Sequence, residues 1–362
     1  MANPVFLRRI ATAVPGHDVH FPFVAFADGM LQNPGSRALF QRMAQRSGIE
    51  HRYSALQVAG APDAEAFSAY ELYQLGSFPF TARRMALFKR FAPVLMRTAL
   101  DRLALTPAER DRVRHVIVTS CTGLYAPGLD FEAMEHLGLP PSTERTVIGF
   151  MGCYAAVNAL KQARHIVRSE PADSVLVINL ELCTLHLQET QDLGQVLSFL
   201  VFGDGCAASL VSGEQTGKST EPGGLCMDSF HALQLEGTRD LIRWDAGDQG
   251  FDMVLSGQVP GEIYRALRAH REDIVGTEDV ALWAVHPGGR SVLDAVADAL
   301  LLPADALDAS RAVLRQFGNM SSATVMFVLE RMMRDARARQ RGVAMSFGPG
   351  LTAETMRFHV KG

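Results

Sequence analysis

The chain has 362 residues, enough for two domains of about 150 residues or one large duplicated unit, and 48% apolar against 20% charged residues allow a sizeable core. The net charge of −4 comes without a basic stripe, which argues against nucleic acid as a partner. Five scattered cysteines, no Cys-x-x-Cys pair, no leader-like start and no apolar run of about 18 residues predict a cytoplasmic protein without a disulfide framework, zinc ribbon or transmembrane segment.

Residues 5–14 read as an opening strand ended by Pro15-Gly16. Residues 38–46 have helical spacing and put Arg42 and Arg46 one turn apart, on a face that is either solvated or holds a phosphate. Residues 55–84 show no clear period. A helical apolar face runs over 85–105, where Pro93 is expected to kink or divide the helix. Thr106-Pro-Ala-Glu109 then forms a capping box. Strands at 115–120, 146–149, 174–180 and 206–212 alternate with helices at 153–168 and 191–201, and this alternation predicts an α/β layered fold. The polar, glycine-rich stretch 213–224 is the expected boundary between an N-terminal half, 1–224, and a C-terminal half, 225–362. In the second half the pattern predicts strands at 281–286, 342–347 and 356–360, helices at 291–301 and 320–334, and a strand or extended lead-in at 313–317.

The stretch Val147-Ile-Gly-Phe-Met-Gly-Cys153-Tyr-Ala-Ala-Val157 places a cysteine at the mouth of a small-residue helix, where the dipole favours a thiolate. By position alone, Cys153 is as well read as buried apolar filler. Phe317-Gly-Asn319-Met-Ser-Ser-Ala-Thr-Val is weakly similar to that stretch, and suggests an internal duplication with Asn319 standing where Cys153 stands. His286 ends a strand just before Pro287-Gly-Gly289. Ligands gather at the carboxyl ends of parallel strands, so the three residues are expected to share a site: a thiolate, a basic imidazole, and an amide that joins the imidazole in donating to an oxyanion. Singly, His286 also reads as structural and Asn319 as a helix cap. The order Cys, His, Asn also suits a papain-like peptidase, whose Cys-Gly-Ser-Cys-Trp pattern is missing here, or a non-catalytic acyl-binding protein.

Gly152-Cys153, Phe202-Gly-Asp-Gly205, His286-Pro-Gly-Gly289, Gly318-Asn319-Met-Ser-Ser322 and Phe347-Gly-Pro-Gly350-Leu-Thr-Ala-Glu354 occur in that order. Over nearly its full length the chain resembles the type III polyketide synthases of bacterial type, the chalcone-synthase-like branch of the thiolase superfamily. The resemblance implies a thiolase-like αβαβα fold with internal duplication, a homodimer, and an acyltransferase that condenses acyl-CoA with malonyl-CoA. It implies no cofactor, metal or carrier protein beyond these coenzyme A thioesters. Cys153 is implied to take up the starter acyl group, and His286 and Asn319 to bind the malonyl thioester carbonyl during decarboxylation.

Further substrate contacts implied by the resemblance are Phe202 at the junction of tunnel and cavity, Met253 in place of a second gate phenylalanine, and Cys121, Cys183 and His186 around the cavity. Ser321, Phe347, Gly348 and Pro349 join them. Arg42 and Arg46 match positions near the CoA phosphates, whereas Leu39 stands where a lysine is common. Trp244 stands where plant enzymes have glycine, and either shortens the cavity or is ordinary core. Small side chains at Cys121, Ala126 and Cys183, with Met253 at the gate, point to an aliphatic starter and an alkylpyrone or alkylresorcinol product. The alternative is a malonyl-primed synthase of a small aromatic such as tetrahydroxynaphthalene or a phloroglucinol. Ketoacyl synthase III shares the expected fold and triad, but its histidine motif differs and it lacks the Phe-Gly-Pro-Gly loop.

Overall fold

Residues 3–57, 69–214 and 224–361 are described in the computed structural model; most of the expected boundary loop, 215–223, lies outside them. The main sheet is built from β1 (Val5–Ala13), β2 (Val113–Ser120), β3 (Glu144–Gly149), β4 (Ser174–Leu182), β5 (Asp204–Gly213) and β6 (Leu225–Gln234). After a ribbon of β7 (Ile242–Gly247) and β8 (Gly250–Leu255), it is completed by β9 (Leu282–Val285), β10 (Arg341–Gly348) and β11 (Thr352–Val360). Its order is β9-β10-β11-β6-β1-β5-β4-β2-β3. Pairing is parallel at both ends, between β9 and β10 and among β3, β2 and β4, and antiparallel between.

The helices that position the site are α1 (His20–Met30), α2 (Pro34–Arg46), α3 (Thr81–Leu103), α4 (Ala155–Ser169), α5 (Leu193–Val201), α6 (Val259–Ala269), α7 (Arg290–Leu300), α8 (Asp308–Phe317) and α9 (Thr324–Asp335). Along β4, Leu176, Ile178 and Leu180 pack into one core with α1, α3 and α5, while Val175 and Val177 face a second core holding α4 and α9. On β10, Ala344 shares that second core, whereas Val343, Met345 and Phe347 face a third with α6 and α7. The layers therefore run helices, half-sheet, α4 and α9, half-sheet, helices, which is the expected αβαβα arrangement. Both faces of the central strands are buried, and for that reason they read as unbroken apolar runs.

Three expectations change. Residues 313–317 are the second half of α8, not a strand: Ala312, Val313 and Leu314 are buried between Arg311 and Arg315, and so short an apolar cluster does not separate helix from strand. Pro93 is buried within a single helix, α3, which it does not divide. The duplicated helix starts also align differently. α4 is preceded by a 3₁₀ turn Gly152–Tyr154 and α9 by a 3₁₀ turn Ser321–Ala323, with left-handed φ values of 74° at Gly152 and 46° at Ser321. The counterpart of Cys153 is therefore Ser322, and Asn319 lies ahead of the repeated turn. Among the described residues no helix is long and apolar enough to cross a membrane.

Candidate active site

Cys153 follows Gly152, whose φ of 74° suits glycine and whose hydrogen faces Pro349; a Cβ there would stand 2.4 Å from the Pro349 Cδ. The Phe347–Gly350 loop is thus pressed against the cysteine turn. On the other side, Asn319 is held by two backbone bonds to the end of α5, Asn319 N–H to Val201 O at 2.7 Å and Gly203 N–H to Asn319 O at 2.9 Å. Gly318, with φ 68°, permits this approach, because a Cβ would meet Val201 O at 2.7 Å. Phe202 and Asn319 form an isolated bridge, so two motifs far apart in sequence meet beside Cys153.

The Asn319 amide is oriented by its neighbours. Its Oδ1 accepts from Ser321 N–H at 2.8 Å and Thr324 Oγ1 at 3.3 Å, which leaves the NH₂ as the outward donor; that group reaches Gly288 O only at 3.5 Å. The Cys153 sulfur lies 3.8 Å from Ser321 Oγ and also interacts with the Asn319 amide. His286 is 1% exposed, and its backbone N–H bonds to Met345 O. Neither ring nitrogen has a partner. A buried imidazole without a partner is costly for folding alone, which marks it as a ligand-facing group.

The electrostatics differ from the helix-dipole expectation. Desolvation pushes the Cys153 thiol up to about 11 against hydrogen bonds from Ser321 and Asn319, and burial lowers the His286 imidazole to about 3. Both shifts favour the neutral forms, so burial works against the helix dipole at Cys153.

Cys153 opens into a cavity of about 440 Å³, lined also by Cys121, Cys183, Phe199, Phe202, Trp244, Met253, Ser321 and Pro349. Trp244 and Met253 are cross-strand partners on the β7-β8 ribbon, and Trp244 Nε1 donates to Cys121 O at 2.6 Å. A second, largely apolar pocket, partly open to solvent, shares Cys183, Phe199 and Phe202 with the first. Its far walls are Phe23 and Phe26 of α1, Leu56, Tyr73 and Leu187.

The model of the N-terminal domain of chalcone and stilbene synthases matches residues 10–215, and that of their C-terminal domain residues 232–361. The chain belongs to this family. It is a type III polyketide synthase, an acyltransferase. It is 34% identical over 338 residues to the alpha-pyrone synthesis polyketide synthase-like Pks18 of Mycobacterium tuberculosis, covering 91% of this chain and 84% of that one. It is 30% identical over 358 residues to the 1,3,6,8-tetrahydroxynaphthalene synthase of Streptomyces peucetius, covering 96% and 91%. Among solved structures, PKS-I of the brown alga Ectocarpus siliculosus matches with a TM-score of 0.85 at 29% identity over 99% of both chains.

In this polyketide synthase the expected contacts divide into groups. Cys121, Cys183, Phe202, Met253, Ser321 and Pro349 line the cavity with Cys153, and so does Trp244. Gly348 backs the cysteine turn, where a Cβ would stand 3.3 Å from Cys153 N. Two others lie deeper: Phe347 is in the third core, and His186 sits behind the wall. His186 bonds Thr122 O at 2.7 Å and accepts from Phe251 N–H at 3.1 Å. Arg42 and Arg46 are exposed on α2.

Sequence reasoning missed Glu181 and Arg52. Glu181 is fully buried at the end of β4 and accepts from Cys121 N–H at 2.9 Å, Thr122 Oγ1 at 2.8 Å and Ser322 Oγ at 2.6 Å, tying the cavity wall to the second-half turn. Burial raises it to about 7. Arg52 is 2% exposed and donates to Phe199 O and Phe202 O, which closes the end of α5. For Glu181 the available signal was a carboxylate inside the apolar run Val175–Leu182, which is rarely buried without a partner; Arg52, between His51 and Tyr53, carries no such signal.

Proposed function

We propose that this synthase loads an aliphatic acyl group from coenzyme A onto Cys153, extends it with several malonyl-CoA units, and closes the chain to an alkylpyrone or alkylresorcinol. The observation that carries the aliphatic starter is the second apolar cavity, which meets the Cys153 cavity at Cys183, Phe199 and Phe202. An alkyl chain placed there leaves water without losing any hydrogen bond, at roughly 0.8 kcal/mol per buried CH₂.

The residue roles follow the chemistry. Cys153 sulfur attacks the thioester carbonyl as His286 takes its proton, and the coenzyme A thiolate leaves with that proton. The malonyl unit then loses CO₂, and negative charge develops on its thioester oxygen. His286 and the outward NH₂ of Asn319 are the donors for that oxygen; the Asn319 amide is oriented by Ser321 N–H, and both side chains are buried. The enolate carbon attacks the acyl group and Cys153 departs. Phe202 and Met253 flank the passage, and Arg42 and Arg46 on the exposed face of α2 meet the CoA phosphates. No cofactor or metal enters these steps. A homodimer is part of the proposal: edge strand β3 leaves Val147 58% exposed, and Phe150 and Leu124 are exposed nearby.

The test is incubation with acetyl-, butyryl-, octanoyl- and palmitoyl-CoA plus malonyl-CoA, followed by mass spectrometry. Alkylated products are expected from the longer starters, and Leu187→Trp, which fills the second cavity, is expected to abolish these while sparing butyryl priming. Products primed only by malonyl-CoA would favour tetrahydroxynaphthalene-type chemistry instead. In parallel, Cys153→Ala is expected to lose all product and Asn319→Ala to lose malonyl-CoA decarboxylation by roughly 100-fold or more; normal turnover in both would remove the proposed triad.

A further inference from the structure

Among the described residues, one group of three potential metal ligands has its donor atoms mutually within 4.8 Å: Cys226, Asp228 and His359. Cys226 and His359 are register partners on β6 and β11. The pairing shifts between Arg357 and Phe358, so that Arg357 faces Ser229, Phe358 faces Met227, and Asp228 is the unpaired residue of a bulge. Bulges re-aim side chains, and this one brings the Asp228 carboxylate onto the His359 imidazole, with Nδ1 at 2.9 and 3.0 Å from the two oxygens. The Asp228 backbone is fixed from α4, where Arg164 donates to Met227 O at 2.8 Å and Asp228 O at 2.6 Å. Cys226 is 5% exposed behind the pair, whereas Asp228 and His359 border a polar recess of about 750 Å³ with Glu278, Arg341 and Arg357.

We propose that Cys226, Asp228 and His359 form a binding site for a divalent transition-metal ion of the zinc class. Thiolate, imidazole and carboxylate are the donor types zinc takes, at about 2.3, 2.0 and 2.0 Å, which sets donor separations of about 3.3–3.6 Å in a tetrahedron. The observed Nδ1 to carboxylate distance needs to open by only a few tenths of an ångström. Three protein ligands leave the fourth position to a water from the recess. On binding, the sulfur–metal bond replaces the S–H bond and the thiol proton is released to solvent.

The place in the fold gives the ion a structural use. β6 meets β1 through only two residue pairs, Phe6 with Cys226 and Leu7 with Leu225, and this seam joins the two half-sheets. A metal held by Cys226, Asp228 and His359 ties β11 to β6 beside that seam, on its C-terminal side. The carboxyl ends of β2 and β4, where Ser120 and Glu181 stand by the active site, lie at the opposite end of the sheet, because β1 runs parallel to β4 and Phe6, the partner of Cys226, is its second residue.

The test is titration of the full-length, tag-free protein with Co²⁺ and Zn²⁺ after EDTA treatment. One Co²⁺ per chain is expected, with a thiolate-to-cobalt charge-transfer band in the near ultraviolet, displaced by Zn²⁺, and a melting temperature a few degrees higher with Zn²⁺. Cys226→Ser is expected to abolish the band, and His359→Gln, at a half-exposed position that tolerates change, to weaken Co²⁺ binding by at least about tenfold. Cys153→Ala is expected to leave the band intact. A hydrogen-bonded triad without metal affinity would show no stoichiometric Co²⁺ uptake, and this result, or a band lost in Cys153→Ala and kept in Cys226→Ser, overturns the site.

Discussion

At the scale of single residues, the site depends on two left-handed backbone positions as much as on its reactive atoms. Gly152 carries a φ of 74° against Pro349, and Ser321 carries 46° without glycine's freedom. Gly152→Ala adds a methyl group 2.4 Å from a proline ring in a strained conformation, so a loss of about 2 kcal/mol or more in urea denaturation is expected. Activity is expected to fall further than stability, since relief of the clash moves Cys153; an unchanged denaturation midpoint would show that the Phe347–Gly350 loop yields freely. Cys153, His286 and Asn319 were legible because each sits at an element end flanked by glycine. Glu181 was not, because a carboxylate at the end of the apolar run Val175–Leu182 gives no hint of the three donors waiting for it from other strands and turns. The electrostatics of Cys153 are only half visible in sequence: a helix start, which favours the thiolate, can be read there, whereas the burial that pushes the thiol up belongs to the folded cavity.

At the scale of elements, the ribbon β7-β8 supplies one wall of the Cys153 cavity through Trp244 and Met253. Trp244 is pinned by its bond to Cys121 O and packs edge-on against His186 at 5.5 Å, which itself stacks on Phe251 at 4.2 Å. The indole is therefore a rigid wall of the first cavity, while its partner Met253 is an adaptable one. Trp244→Leu frees volume on the side away from the second cavity, and products with additional malonyl units are expected by mass spectrometry; an identical product distribution would mean that the ribbon does not limit extension. The buried parallel strands were readable because both faces are apolar. The ribbon was not, because its strands are short, largely exposed and partly buried only by the cavity; α6 buries Val259, Ile263 and Leu267, four apart, in the third core, a spacing that was available in the sequence. The duplication reads three residues out of register in the sequence, since sequence similarity aligns Gly318-Asn319 with Gly152-Cys153, whereas the backbone aligns the two left-handed turns at Gly152 and Ser321.

At the scale of the whole molecule, the buried titratable groups oppose one another. His20, His186 and His286 are lowered to about 4, 3 and 3 by burial, against an ordinary 6.5. Each is neutral in the folded protein and protonated once unfolded below pH 6.5, so each destabilises the fold as pH falls. Glu181 and Asp204 are raised to about 7 and 6 by burial, from 4.5 and 3.8. Their contribution has the opposite sign: full below their unfolded values, it is lost as pH rises through 6 and 7. Between pH 4.5 and 6 the unfolded chain holds three histidine protons that the native chain lacks, and the native chain holds two carboxyl protons that the unfolded chain lacks. For these five groups the unfolded state holds a surplus of one proton, so together they make stability climb with pH across this window. Above 6.5 the histidine advantage is exhausted while Glu181 is still being ionised in a buried site, and the slope reverses. Thermal melts are expected to peak near pH 6 to 6.5 and to decline towards pH 7.5. Glu181→Gln, neutral at every pH, is expected to flatten that decline and to steepen the acid limb, because it removes one of the two carboxyl protons that oppose the three histidines there. A melting temperature that rises steadily to pH 8 in the unaltered protein would mean that the hydrogen bonds from Cys121, Thr122 and Ser322 hold Glu181 ionised despite its burial.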